Sequence, residues 1–116
     1  MVTEKGAVAE SKIAHWLSKN NWRILRRNYR KHGFEIDIIA LKERVLLAGE
    51  VKARTFLDEQ RIPEILKRNQ IRRIKKGMEN FIAENDLEYE SIRLDLFIVH
   101  GKYLNKLARY EDIELS

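Results

Sequence analysis

The sequence predicts an α/β fold, a mixed sheet with helices packed on it, in the element order α-β-β-β-α-β-β. Two stretches carry apolar residues at helical spacing, near the start of the chain and in its second half. Between them lie segments rich in Ile, Val and Leu, and two of these are separated by only two residues. A gap that short joins antiparallel neighbours, whereas a parallel pair needs a crossover of a dozen residues or more.

Residues 5–20 read as the first helix, with Ile13, Ala14 and Leu17 as its stripe, Trp16 at the flank and Asn20-Asn21 as its end. Residues 22–29 read as a strand, with Trp22, Ile24 and Arg26 on one side and Leu25 on the other. Residues 34–41 and 45–53 follow as a hairpin with Lys42-Glu43 at the tip, without the Asn-Gly or Asp-Gly pair that marks the commonest turn. Residues 56–61 read as a loop. Pro63 suits the first turn of a second helix, where its missing N–H costs nothing. That helix is expected to reach Glu84, burying Leu66, Ile74, Met78, Phe81 and Ile82, with Gly77 permitting close approach to a sheet. Residues 92–99 form a further strand. After a turn at His100-Gly101, residues 103–110 form an edge strand.

With 116 residues the chain is long enough for one core and is read as one domain over residues 1–116. Lys and Arg number 23 against 18 Asp and Glu, a net charge of +5 that permits a polyanionic partner without requiring one. There is no cysteine, which excludes disulfides, thiolate catalysis and cysteine zinc sites. The three histidines are scattered, against a histidine-based zinc site. The N-terminus lacks the pattern of a signal peptide, and no apolar run has membrane-spanning length. The expectation is a soluble cytoplasmic protein with no membrane partner.

The informative residues are polar ones placed where burial is expected. Asp37 interrupts the strand Phe34-Glu35-Ile36-Asp37-Ile38-Ile39-Ala40, and a carboxylate there needs a cation or hydrogen bonds. Glu50 and Lys52 share one face of the next strand. With Lys42-Glu43 as the tip, Asp37 lies opposite Ala48 and points to the side of Glu50 and Lys52. Glu50 is then its diagonal neighbour at roughly 7 Å, and Glu35 lies opposite Glu50. Two carboxylates so spaced can share a hard, oxygen-preferring cation. Glu10 lies on the apolar face of the first helix, and Gln70 interrupts the stripe of the second.

Each of these residues also has a plain structural reading. Asp37 fits a partly exposed strand carboxylate, and Glu50 with Lys52 a same-face ion pair on a solvated sheet. Glu10 and Gln70 fit the edges of apolar stripes. Agreement among several independent anomalies favours a site. Basic clusters flank it in sequence: Arg23, Arg26, Arg27, Arg30 and Lys31, then Lys67, Arg68, Arg72, Arg73, Lys75 and Lys76. Phosphate neutralisation is a natural use for them, as is a solvated helix face. Tyr29 and His32 are candidates for sugar or base contacts.

The run Glu35-Ile36-Asp37-Ile38-Ile39-Ala40, a short hairpin, then Glu50-Val51-Lys52-Ala53-Arg54 resembles the core of the PD-(D/E)xK nuclease superfamily. The chain is more specifically similar to the YraN-like family, itself akin to archaeal Holliday junction resolvases. Gly6-Ala7-Val8-Ala9-Glu10 resembles that family's opening helix, Asn28-Tyr29-Arg30 its first strand, Lys67 through Gln70 the start of its second helix, and Arg93-Leu94-Asp95 its Arg-Phe-Asp strand. Phe34 stands where the family usually has Gly, and Ala48-Gly49 where it has an aromatic and a β-branched residue.

The resemblance implies a restriction-endonuclease-like fold and a metal-dependent nuclease. Glu10, Asp37, Glu50 and Lys52 would be catalytic, with Gln70 in support. Mg²⁺ or Mn²⁺ would be held by Asp37, Glu50, Glu10 and the backbone carbonyl of Val51. Arg26, Arg27, Arg30, Lys31, Arg54, Lys67, Arg68, Arg72 and Arg73 would seat a nucleic acid, expected to be DNA and possibly branched. The resolvase relatives are dimers, which leaves a homodimer open. The competing reading keeps the fold and the basic clusters but not the chemistry: a non-catalytic nucleic-acid-binding protein.

Overall fold

Residues 3–115 are described in a computed structural model of the chain. The elements are α1 (Glu4–Lys19), β1 (Arg23–Lys31), β2 (Phe34–Lys42), β3 (Val45–Arg54), a 3₁₀ turn (Glu59–Arg61), α2 (Ile62–Ile65), α3 (Arg68–Glu84), β4 (Ser91–His100) and β5 (Lys106–Ile113). The strands form one five-stranded sheet in the order β1-β2-β3-β4-β5. The pairs β1–β2, β2–β3 and β4–β5 are antiparallel, and β3–β4 is parallel. The connection between the two parallel strands carries α2 and α3, the long crossover that such pairing demands. The mixed sheet and the order of its elements are those the sequence predicts. Among the described residues, no helix is long and apolar enough to cross a membrane.

Two apolar clusters lie on the two faces of this sheet. Ala9, Ile13, Ala14 and Leu17 of α1 pack with Ile38, Ala40, Leu47, Val51, Phe97 and Val99. Ile74, Met78 and Phe81 of α3 pack with Tyr29, Ile36, Ile39, Leu46, Ala48, Leu94, Leu96 and Ile98. The central strands are therefore covered on both sides, which is why β2, β3 and β4 read as near-continuous apolar runs rather than strict alternation. At the start of α1 the Thr3 side chain accepts a hydrogen bond from Gly6 N at 2.9 Å, satisfying one of the free first-turn N–H groups. The helix stops at Asn20, and Asn21 takes a positive φ of 69° that asparagine tolerates.

Several boundaries differ from the sequence reading. The first strand begins after Trp22 and runs on to Lys31, and a bulge between Ile24 and Arg26 interrupts its face pattern. The last strand starts at Lys106, because Gly101, Tyr103 and Leu104 belong to the preceding turn region. The single helix expected from Pro63 to Glu84 is two helices. Leu66 and Lys67 have extended backbone, and the buried Leu66 sits at the break. Gly49 pairs regularly with Ile38 and Asp95, and a Cβ there would stand 3.4 Å from the Phe97 ring.

The hairpin tip also moves. Lys42 pairs with Val45, so the turn residues are Glu43 and Arg44, both with positive φ (51° and 80°). Two successive positive φ values give the I′ turn geometry, whose twist matches the flanking strands. The register is thereby shifted two residues from the expected one, so Ile39 rather than Asp37 faces Ala48. Glu35 does not lie opposite Glu50; it pairs with Arg30 of β1, and the β2–β3 ladder begins only at Ile38.

Gly77 does allow α3 to approach the sheet closely. A Cβ there would stand 2.9 Å from Ile36 Cδ1 and 3.2 Å from Phe34 Cδ2. At an open helical position Gly→Ala gains about 1 kcal/mol of helix propensity. Here the overlap with buried Ile36 outweighs that gain, and Gly77→Ala is expected to lose about 1 kcal/mol net. Urea denaturation of the two proteins measures the difference.

Candidate active site

The strand pairing loosens where β2 and β3 part. A regular strand carries Ile36, Ile38 and Ala40 on one face, yet Ile36 packs with the α3 cluster while Ile38 and Ala40 pack with the α1 cluster. The alternation therefore breaks at Asp37. Across the gap, between the Arg27·Ile38 and Tyr29·Ile36 pairs, Asn28 of β1 takes a φ of 52°. Asp37 is the first residue of β2 beyond the β3 ladder, and its Oδ2 accepts a hydrogen bond from Val51 N at 2.8 Å. The side chain thus takes over the place of a main-chain partner. In an extended strand the N–H and C=O of one residue point to the same edge, so the Val51 carbonyl also opens toward Asp37.

A cavity of about 320 Å³ lies at this parting and brings together Glu10, Asp37, Glu50, Val51, Lys52 and Gln70. The candidate residues of the sequence line one cavity, at the point where the alternation of β2 breaks. Glu35, Arg54, Thr3 and Lys5 also line it. Lys5 donates to Thr55 Oγ1 at 2.9 Å and so ties α1 to the end of β3. Neither Thr3 nor Lys5 carries a sequence signal for a site, since both belong to the exposed first turn of a helix.

Glu50 is only 5 % exposed. Burial, then the negative charge of Asp37 and hydrogen bonding with it, push the Glu50 carboxyl up to about 9, although Lys52 opposes the shift. Lys52 Nζ stands 3.5 Å from Glu50 Oε1. Burial and the charge of Asp37 also raise the Glu10 carboxyl. Glu10 Oε1 is buried without a hydrogen-bond partner, the one such side-chain atom among the described residues. A buried, unpartnered carboxylate oxygen is costly unless something positive meets it.

Among the described residues, no group of three or more His, Cys, Asp or Glu side chains is placed to hold a metal ion by itself. The donors present are instead carboxylate oxygens, a backbone carbonyl and room for water. This set suits a hard divalent cation such as Mg²⁺, which keeps several waters and is commonly held by one or two carboxylates together with a substrate phosphate. The unpartnered Glu10 oxygen and the closely apposed carboxyls of Glu50 and Asp37 both fit such an ion.

The basic residues divide into two groups. On β1, Arg27 donates to Ser11, Arg30 pairs with Glu35 at 2.9 Å, Lys31 pairs with Glu84, and Arg26 lies over the Tyr29 ring. Tyr29 itself is buried and bonded to Glu84, which leaves it no surface for a sugar or base. His32, by contrast, is exposed in the β1–β2 turn. Along α3, Lys67, Arg68, Arg72 and Arg73 are exposed, while Arg54 lies at the cavity.

Comparison with known proteins places the chain. The uncharacterised protein family UPF0102 matches residues 9–99, a span that contains every carboxylate of the cavity. A UPF0102 protein of Flavobacterium johnsoniae is 32 % identical, with 84 % of this chain and 81 % of that protein covered. One from a Sulfurihydrogenibium species is 31 % identical over 97 % of both chains. A third, from Chlorobaculum parvum, is 36 % identical over 91 % of this chain and 84 % of its own. The chain belongs to the UPF0102 family, as the YraN-like motifs of its sequence imply.

Proposed function

We propose that this protein is a metal-dependent nuclease that hydrolyses phosphodiester bonds in DNA. One observation carries the reading. A nearly buried glutamate, an aspartate that it repels and a lysine two residues along the same strand converge in one open cavity, with a third, unpartnered carboxylate from α1. Such an arrangement is relieved by a proton on Glu50 or by a cation in its place, and perturbed carboxyls in a cleft are a mark of functional sites.

Asp37, Glu50 and the Val51 carbonyl would hold Mg²⁺ or Mn²⁺, with Glu10 reaching the ion through a bound water. The bound ion supplies a Lewis acid for the scissile phosphate and lowers the pKa of an attacking water. Val51 N fixes the Asp37 carboxylate through Oδ2 at the cavity. Lys52 orients the water and offsets the charge that builds on the phosphorus centre in the transition state. Gln70, presented at the cavity by the first turn of α3, would position the water or a phosphate oxygen. The exposed arginines and lysines of α3 seat the backbone without reading sequence.

The test is cleavage of a labelled substrate panel (single strand, duplex, flap and four-way junction) with Mg²⁺ and Mn²⁺, using wild type and Asp37→Asn. The variant is expected to lose turnover while keeping or tightening DNA affinity, because a negative charge near the phosphates is removed. Equal cleavage by the two proteins assigns the activity to a contaminant. Binding without cleavage by wild type under every metal favours the non-catalytic reading.

A further inference from the structure

Phe56 is 80 % exposed, more than any other large apolar side chain among the described residues. A single exposed aromatic ring needs no explanation by itself; its position and its support give this one meaning. It follows the last residue of β3 by two positions, so the strand that carries Glu50 and Lys52 leads directly to it. The segment is braced on both sides of the ring. Thr55 accepts from Lys5 of α1 at 2.9 Å, and Asp58 caps the 3₁₀ turn by accepting from Gln60 N at 3.0 Å. The ring is thus presented on a short, tied segment rather than on a free tail.

Phe56 also walls a second cleft of about 350 Å³ with Arg54, Asp58, Arg61, Glu64 and Ile65. Arg54 lines both this cleft and the carboxylate cavity, so the two adjoin. The formal charges lining the second cleft balance, Arg54 and Arg61 against Asp58 and Glu64, and Arg61 pairs with Glu64 at 2.9 Å. A neutral cleft with an aromatic wall and a guanidinium plane does not suit a phosphate. It suits the uncharged face of a planar ring. Next to a phosphodiester-cleaving site the available planar rings are nucleobases, and a regular duplex keeps their faces hidden in the stack. Only an unpaired or unstacked base can offer one.

We propose that Phe56 is a base-stacking platform beside the carboxylate cavity, which selects nucleic acids carrying an unpaired base: single strands, flaps, bulges or junctions. The inference rests on the nuclease reading for its choice of ligand and deepens it by naming the substrate class. Stacking on an aromatic ring changes affinity by about 5- to 150-fold per base.

The experiment titrates the full chain, without metal, into oligonucleotides containing 2-aminopurine, either unpaired or in the same sequence fully paired. Wild type is expected to bind the unpaired probe about tenfold more tightly and to change its fluorescence. Phe56→Ala should lose that preference while binding the duplex unchanged, and Phe56→Trp should restore it. Phe56→Ala behaving as wild type on every probe overturns the proposal and returns the ring to a protein contact; cleavage that still depends on Asp37 then leaves the nuclease reading standing. A stacking preference that vanishes in Phe56→Ala supports the platform even if no metal yields cleavage, and in that case the catalytic reading alone falls.

Discussion

Asp95→Ala is expected to cost about 3–5 kcal/mol of folding stability, the range for removing one partner of a buried charged pair. The Asp95 carboxylate on β4 is fully buried. Its Oδ1 accepts from Arg93 Nε at 2.9 Å and from Asp112 N at 2.9 Å. Its Oδ2 accepts from Arg93 Nη2 at 3.0 Å and from Arg109 Nε and Nη2 at 3.1 and 2.8 Å. The Asp112 bond falls where the β4–β5 register slips between Leu94 and Leu96, so the side chain stitches a bulge that the ladder leaves open. Both guanidinium groups are in turn laid over aromatic rings, Arg93 over Trp22 at 5.5 Å and Arg109 over Trp16 and Phe97 at 5.0 and 5.3 Å. Without Asp95, two partly buried guanidinium groups keep Glu111 at 3.5 Å from each, with Asp112 also acting on Arg93. Equilibrium urea unfolding checks the prediction. A loss below about 1 kcal/mol would mark the network as peripheral, since surface pairs contribute no more than that.

This network shows where sequence reasoning stops. On β4, Leu94, Leu96 and Ile98 alternate with Arg93, Asp95, Phe97 and Val99, and two charges in the second set suggest a partly solvated face. What buries Asp95 is Arg109, fourteen residues away on a strand whose register no local signal sets. The order of elements was legible because helical and strand periodicities differ and because apolar runs report burial on both sides of a sheet. The break between α2 and α3 was not, because Leu66 continues the apolar spacing while its backbone turns extended. The hairpin tip was misplaced for a similar reason. Glu43 and Arg44 adopt positive φ without the glycine or asparagine that usually announces it.

The candidate site was legible as a set of residues and not as a geometry. Asp37, Glu50 and Lys52 stand out because charges in apolar strands demand partners. Regular alternation is the only rule a sequence offers for deciding which way they point, and here β2 breaks that rule at Asp37 itself. The two-residue shift of the hairpin left parity between the strands intact, whereas a shift of one would have reversed it. Glu10 sits on the buried face of a single regular helix, where the 3.6-residue period holds, and that helix places it at the cavity.

Glu50→Gln is expected to act in opposite directions on activity and on stability. In the unfolded chain this carboxyl titrates near 4.5, whereas in the fold burial and Asp37 push it up to about 9. Below pH 4.5 both states hold the proton, so ionisation contributes nothing. Between these values the unfolded chain releases the proton and the folded chain retains it, so stability falls as pH rises through the window. Glutamine is neutral throughout and removes that slope. In EDTA at pH 8 the variant should therefore be more stable than wild type, on the order of 2 kcal/mol, and the two should converge near pH 4. Mg²⁺ should stabilise wild type by binding the native state alone, and the gain should grow with pH because the ion competes with the Glu50 proton. The variant lacks a ligand, so its response to Mg²⁺ should be small and its cleavage lower by at least roughly 100-fold. Urea midpoints measured from pH 4 to 9, with EDTA and with Mg²⁺, give every quantity needed. If Glu50 is simply the structural partner of Lys52, glutamine breaks an ion pair and destabilises the protein at pH 8 in EDTA. That sign, opposite to the one expected, would remove the reason for assigning Glu50 to a metal.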